Sequence, residues 1–132
     1  MTRIPFIAAG MVCCLLAAAS ASAESLGRPD YMDYCAACHG ETGAGDGPLS
    51  EIIDRAVPAL TGLAADNGGR FPMLRVIRTI DGREQVPGHG YPMPVWGNRL
   101  TETTRDTGDY PVELVVRGRV LSLAYYLESI QR

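Results

Sequence analysis

The chain has 132 residues and a formal net charge of −3, and its 12 basic residues are all arginine, with no lysine anywhere. A mildly acidic chain without a clustered basic run lacks the electrostatic footprint of a nucleic-acid-binding protein, so the charge is read as ordinary solubility. The length allows one small domain and excludes two.

The N-terminal segment reads as an export signal. Arg3 is the positive n-region, an apolar stretch from Ile4 to Ala19 is the h-region, and Ala21-Ser22-Ala23 is a small-residue cleavage site. The expectation is a signal peptide over residues 1–23 and one domain over 24–132, which leaves 109 of the 132 residues and a net charge near −4. Cys13 and Cys14 leave with the signal, and Met11 and Val12 before them do not suit a lipoprotein signal. An uncleaved anchor is the competing reading, against which stand the short apolar stretch and the Ala-x-Ala ending.

A first helix is expected to begin near Gly27 or Arg28, with Pro29 in its first turn, and to run into Cys35. Gly27, Tyr31 and Cys35 lie four apart and share a face. Cys35-Ala36-Ala37-Cys38-His39 follows, and two thiols three positions apart with an adjacent imidazole are the attachment pattern of a c-type haem. Within one helical turn the thiols of Cys35 and Cys38 reach the two porphyrin vinyl groups as thioethers. His39 then falls beneath the iron as proximal ligand. A bare Cys-x-x-Cys would also suit a redox dithiol or half a zinc site. For zinc the mature chain offers only Cys35, Cys38, His39 and His89, with His39 too close to Cys38 for the usual second ligand pair. For a dithiol enzyme the alternating strand pattern is missing. With two cysteines lost to the signal and two consumed by the haem, no disulfide is available. The covalent haem serves as the staple and enlarges a small core.

Gly40 to Pro48 contains four glycines and reads as a turning loop, followed by a short helix from Pro48 to Arg55. After Phe71-Pro72, apolar residues at helical spacing predict a helix from Met73 to Ile80, closed by Asp81-Gly82. Val86 to Gly97 holds three prolines and three glycines and is expected to be extended loop. Asp109 is the expected cap of a last helix with Pro111 near its start. Its apolar face is expected from Leu114, Val115, Leu121, Leu123, Tyr126, Leu127 and Ile130, with Gly118 weakening the middle. The class is all-α, with four to five short helices.

The iron's sixth ligand separates an electron carrier from a haem that binds gases or peroxide. Met93, between Pro92 and Pro94, is the candidate, because flanking prolines restrict the backbone that presents the thioether. His89 is the competitor, and bis-His ligation would lower the potential. Met32 lies on the attachment side and Met73 reads as core.

The mature chain resembles the class I c-type cytochromes, small bacterial monohaem members above all, over nearly its whole length. Gly27 and Tyr31 match the family's N-terminal helix-crossing residues, and Leu123, Tyr126 and Leu127 the complementary C-terminal ones. Cys35 to His39 is the haem site, and Met93-Pro94 resembles the distal segment. The resemblance implies the cytochrome c fold around one covalently bound haem c, an electron-transfer protein rather than an enzyme, and His39/Met93 ligation. It implies that Pro58 supplies the carbonyl that bonds the proximal imidazole, with Pro48 as the other proline to consider. With the export signal it points to the bacterial periplasm. Trp96 packs near the haem or in the core, and Arg55, Arg78, Arg83 and Arg99 are the guanidinium groups considered for the propionates. Redox protein partners are expected to meet a monomer in short-lived contacts, without nucleic acid or stable membrane insertion. Without lysine, the family's lysine-ringed docking face cannot be reproduced. The alternatives are a haem subunit of a larger oxidoreductase, or a haem enzyme or gas sensor with a displaceable sixth ligand.

Overall fold

A computed structural model of the chain describes residues 26–82, 94–104 and 108–132. All regular structure among them is helical: α1 over 26–34, α2 Ala36–His39, α3 Met73–Asp81, α4 Trp96–Thr103 and α5 Val112–Ser129, with single 3-10 turns at Ser50–Ile52 and Ala65–Asn67. The expected all-α class is what the chain adopts.

Helical hydrogen bonding runs through the break between α1 and α2. The Cys35 N–H donates to the Tyr31 carbonyl at 2.8 Å, and the His39 N–H to that of Cys35 at 2.9 Å. The Cys-x-x-Cys-His segment is therefore a last turn set at an angle on a rigid helix, with Cys35 at φ −117° as the bend. Helix α1 crosses α5 closely because Gly27 has no side chain: a Cβ there would run into the Ser122 carbonyl and lie 2.9 Å from the Cβ of Tyr126. One turn on, the Tyr31 and Tyr126 rings meet with centroids 5.0 Å apart.

Helix α3 buries Val76 and Ile80 and ends as expected, where Gly82 at φ 85° turns its N–H back onto the carbonyls of Arg78 and Thr79. Both α3 and α4 pack on α5. The Arg119 guanidinium adds a fork across the bundle, from Nε to Asp30 Oδ2 at 2.9 Å and from Nη2 to Oδ1 at 2.6 Å, while Nη1 reaches the Thr104 hydroxyl at 2.7 Å. One side chain on α5 thereby holds α1 and the end of α4.

Four expectations need correction. The Pro48–Arg55 helix shrinks to the turn Ser50–Ile52, because Leu49 and Ile52 are exposed and no buried face rewards propagation beyond a first turn. Trp96 and Gly97, placed in the extended loop, open α4 instead. That helix is secured by fully buried Leu100, one turn after a Trp96 that stacks on Tyr34 at 5.4 Å. The rest of that loop up to residue 93 lies outside the described residues, as does the segment 1–23 expected to be a signal peptide. Asp109 does not cap α5, whose N-cap is Pro111 with no side-chain cap. On α5 the core-facing residues include Val116, Val120 and Ala124 beside Leu123, Tyr126 and Leu127, whereas Leu114 and Leu121 are exposed.

Candidate haem site

The bent turn of α2 presents Cys35 and His39 to one cavity of about 230 Å³. Its walls are Leu60 and Leu63 from the central loop, Val76 and Ile80 from α3, and Leu123 and Leu127 from α5. A void of this size exceeds the roughly 150 Å³ left by deleting a large core side chain, and its apolar lining suits an apolar guest rather than water. Cys38 is half-buried on the same turn and does not line the cavity; neither it nor Cys35 is in a disulfide. Burial, reinforced by the Asp30 charge, pushes the Cys35 thiol up to about 12. A thiol kept protonated is a poor metal ligand.

His39 is buried, and its Nδ1 lies 3.1 Å from the Pro58 carbonyl oxygen. A carbonyl only accepts, so Nδ1 carries the proton and Nε2 carries the lone pair that can bind a metal. The carbonyl 19 residues along the chain thus fixes both tautomer and ring orientation. Pro58, rather than Pro48, fills the role that the resemblance implied.

The loop carrying Pro58, Leu60 and Leu63 is strapped down by the chain end. Gln131 Oε1 accepts from the Ala64 N–H at 2.9 Å, its Nε2 donates to the Leu60 carbonyl at 2.8 Å, and the Arg132 N–H donates to that of Thr61 at 3.0 Å. Nothing in the sequence pattern singles out Gln131. A second omission is Arg75, which lines the cavity with Thr79, whereas Arg55, Arg78 and Arg99 do not and Arg83 lies outside the described residues. Its signal was the spacing, since Arg75, Val76, Thr79 and Ile80 fall on one face of α3. Trp96 packs between Tyr34 and Arg99, away from this lining. Met93 and His89 lie outside the described residues.

A protein-family model described as Cytochrome c matches residues 25–106, more than half of the chain. The chain belongs to the cytochrome c family. Neither the comparison with curated proteins nor that with solved structures gives a match. Membership in the cytochromes c implies a covalently bound haem c and haem-based electron transfer. The residues of this chain fit that group: two thiols on one turn, an imidazole with its tautomer already set, and an apolar cavity beside them. A haem bound there supplies a one-electron ferrous/ferric couple. The protein's part in this cytochrome is to hold the imidazole at a fixed angle, to exclude water with Leu60, Leu63, Ile80 and Leu127, and to place a cation, Arg75, at the cavity wall.

Proposed function

We propose that this cytochrome c is a periplasmic monohaem electron carrier, its haem joined by thioethers to Cys35 and Cys38, with His39 and Met93 as axial ligands. The observation that carries the reading is the Pro58 carbonyl bonded to His39 Nδ1 at 3.1 Å, on the cavity that Cys35 shares. A ligand whose tautomer and orientation are fixed by backbone, on a turn bonded into a rigid helix, moves little between oxidation states. Small geometric change is what rapid single-electron exchange needs. Met93 is supported by its prolines and by its neighbourhood in the chain. Two residues later, Val95 packs against Gly82 at the end of α3, whose Val76 and Ile80 line the cavity. Export is supported by the Arg3, Ile4–Ala19 and Ala21-Ser22-Ala23 pattern.

The test is the absorption spectrum of the purified protein in both redox states, with Met93→Ala as control. The expected result is a weak red methionine-to-iron charge-transfer band in the oxidised parent that the substitution abolishes. No band in the parent, together with ready carbon monoxide binding on reduction, would overturn the carrier in favour of a haem enzyme or sensor.

A further inference from the structure

Charge is unevenly spread along this chain. From Glu24 to Asp54 there are seven carboxylates against the single arginine Arg28, whereas from Arg55 to Arg132 there are ten arginines against eight carboxylates. The acidic stretch is the one that carries Cys35, Cys38 and His39. Within it Asp30 is neutralised by Arg119. Asp33, Glu41, Asp46, Glu51 and Asp54 are all exposed. Arg55, which ends the stretch, already has an interaction of its own.

Among these carboxylates stand two apolar side chains outside the core: Ile52, 78 % exposed, and Leu49, 43 % exposed. They occupy a turn bonded directly to the Cys-x-x-Cys-His segment. The Leu49 N–H donates to the Ala37 carbonyl at 2.9 Å and the Gly47 N–H to that of Cys38 at 3.2 Å. Ala37, between the two cysteines, is itself exposed. An apolar spot fixed against the thioether positions, with exposed Glu51 and Asp54 adjoining it in the chain, has the make-up of a docking face. Apolar contact gives close approach, and the surrounding charge steers and orients a partner.

We propose that Leu49 and Ile52, with the exposed carboxylates Glu51 and Asp54 beside them in the chain, are the face through which this protein exchanges electrons, and that it fits a protein partner presenting an apolar spot flanked by lysine or arginine. The proposal rests on the electron-carrier reading. It reverses the lysine-ringed arrangement implied by the family resemblance: here the carrier supplies the anions. The two side chains and the adjoining carboxylates make a small patch, suited to a short-lived complex.

Two small probes test it on the holoprotein. Tris(1,10-phenanthroline)cobalt(III) is a trication with apolar faces, and hexacyanoferrate(III) is an anion; each takes one electron from the reduced protein, cobalt(III) becoming cobalt(II), with no atom or proton transferred. In stopped-flow oxidation at low ionic strength, Glu51→Gln with Asp54→Asn is expected to slow the cobalt reaction about three- to tenfold and flatten its salt dependence. Glu102→Gln with Glu128→Gln removes the same net charge from exposed positions on α4 and α5 and is expected to change the rate by less than twofold. Ile52→Ser slows the cobalt reaction even at high salt. In the unsubstituted protein, hexaamminechromium(III) is expected to broaden the amide resonances of residues 49–54 before those of α5. Equal effects of the two charge pairs, or broadening spread evenly over the surface, would overturn the docking face while leaving the carrier intact. A reduced protein that gives electrons to neither oxidant would overturn the carrier reading itself.

Discussion

The Tyr31 hydroxyl donates to the Gly40 carbonyl at 2.6 Å from a ring with no exposed surface. Gly40 directly follows His39, so this bond braces the far side of the haem-binding turn while Pro58 braces the imidazole. Burial above all, with smaller contributions from the charges of Tyr126 and Asp46, raises the pKa of this phenol above its ordinary value of 10.0. The folded state therefore favours the protonated form. Its contribution to stability is complete below the unfolded value near 10 and is lost as pH climbs beyond it. Tyr31→Phe takes from the Gly40 carbonyl the shorter of its two hydrogen bonds, leaving the Gly43 N–H at 3.2 Å, and is expected to cost about 0.5–1.5 kcal/mol at neutral pH. Denaturant titrations of the holoprotein at pH 7 and pH 11 check both statements. The parent is expected to lose more stability between the two than the variant does, and equal losses would show that Tyr31 ionisation does not drive the loss at high pH.

At the scale of elements, two glycines in the helix pair α1 and α5 are opposite cases. Gly27 sits where a Cβ would strike the Ser122 backbone oxygen, which cannot rotate away, so Gly27→Ala is expected to destabilise by about 1–3 kcal/mol as the helices are forced apart. Gly118, exposed in the interior of α5 with nothing within 4 Å of an added Cβ, should gain about 0.5–1 kcal/mol as alanine. A Gly27→Ala protein that melts at or above the parent temperature would refute the close-crossing account. The crossing was legible through the family resemblance, which sets Gly27 and Tyr31 opposite Leu123, Tyr126 and Leu127, and α3 because its apolar spacing ends in a glycine that can turn the chain. Helix α4 was not legible. It offers only Trp96 and Leu100 as apolar anchors and follows a run of prolines, and what makes it a helix is its packing on Tyr34 and α5. On α5 the pattern misled for the opposite reason. Leu114 and Leu121 are as apolar as Val116 and Val120, and only the position of α1 and α3 decides which stripe is covered. The site followed the same division: Cys35, Cys38 and His39 are contiguous and readable, whereas Gln131 and Arg75 act through chain segments brought together by folding.

For the molecule as a whole, the cavity lies where three parts of the chain would otherwise meet one another. Leu60 and Leu63 from the loop, Val76 and Ile80 from α3, and Leu123 and Leu127 from α5 all turn apolar surface toward it. Leu60 and Leu63 are only partly buried, and the core proper is carried by a few residues such as Tyr31, Leu100 and Leu123. Among the described residues, direct contact between these parts comes from the α1–α5 crossing, the packing of α3 and α4 on α5 and on each other, the Arg119 fork and the Gln131 strap, and the cavity interrupts it between the loop, α3 and α5. A domain of this size has only about 5–15 kcal/mol of net stability to lose, and exposing three apolar walls to water removes a large share of it. Cys35→Ser with Cys38→Ser, prepared free of haem, is thus expected to lose on the order of 5 kcal/mol or more relative to the holoprotein, and with it most of its cooperative fold. Far-UV circular dichroism through a thermal melt reads this directly. A broad, weak transition is expected for the haem-free chain and a sharp one for the holoprotein. A haem-free variant that melted sharply within a few degrees of the holoprotein would show that the helices close over the cavity unaided, and that the haem is a guest in this fold rather than part of its core.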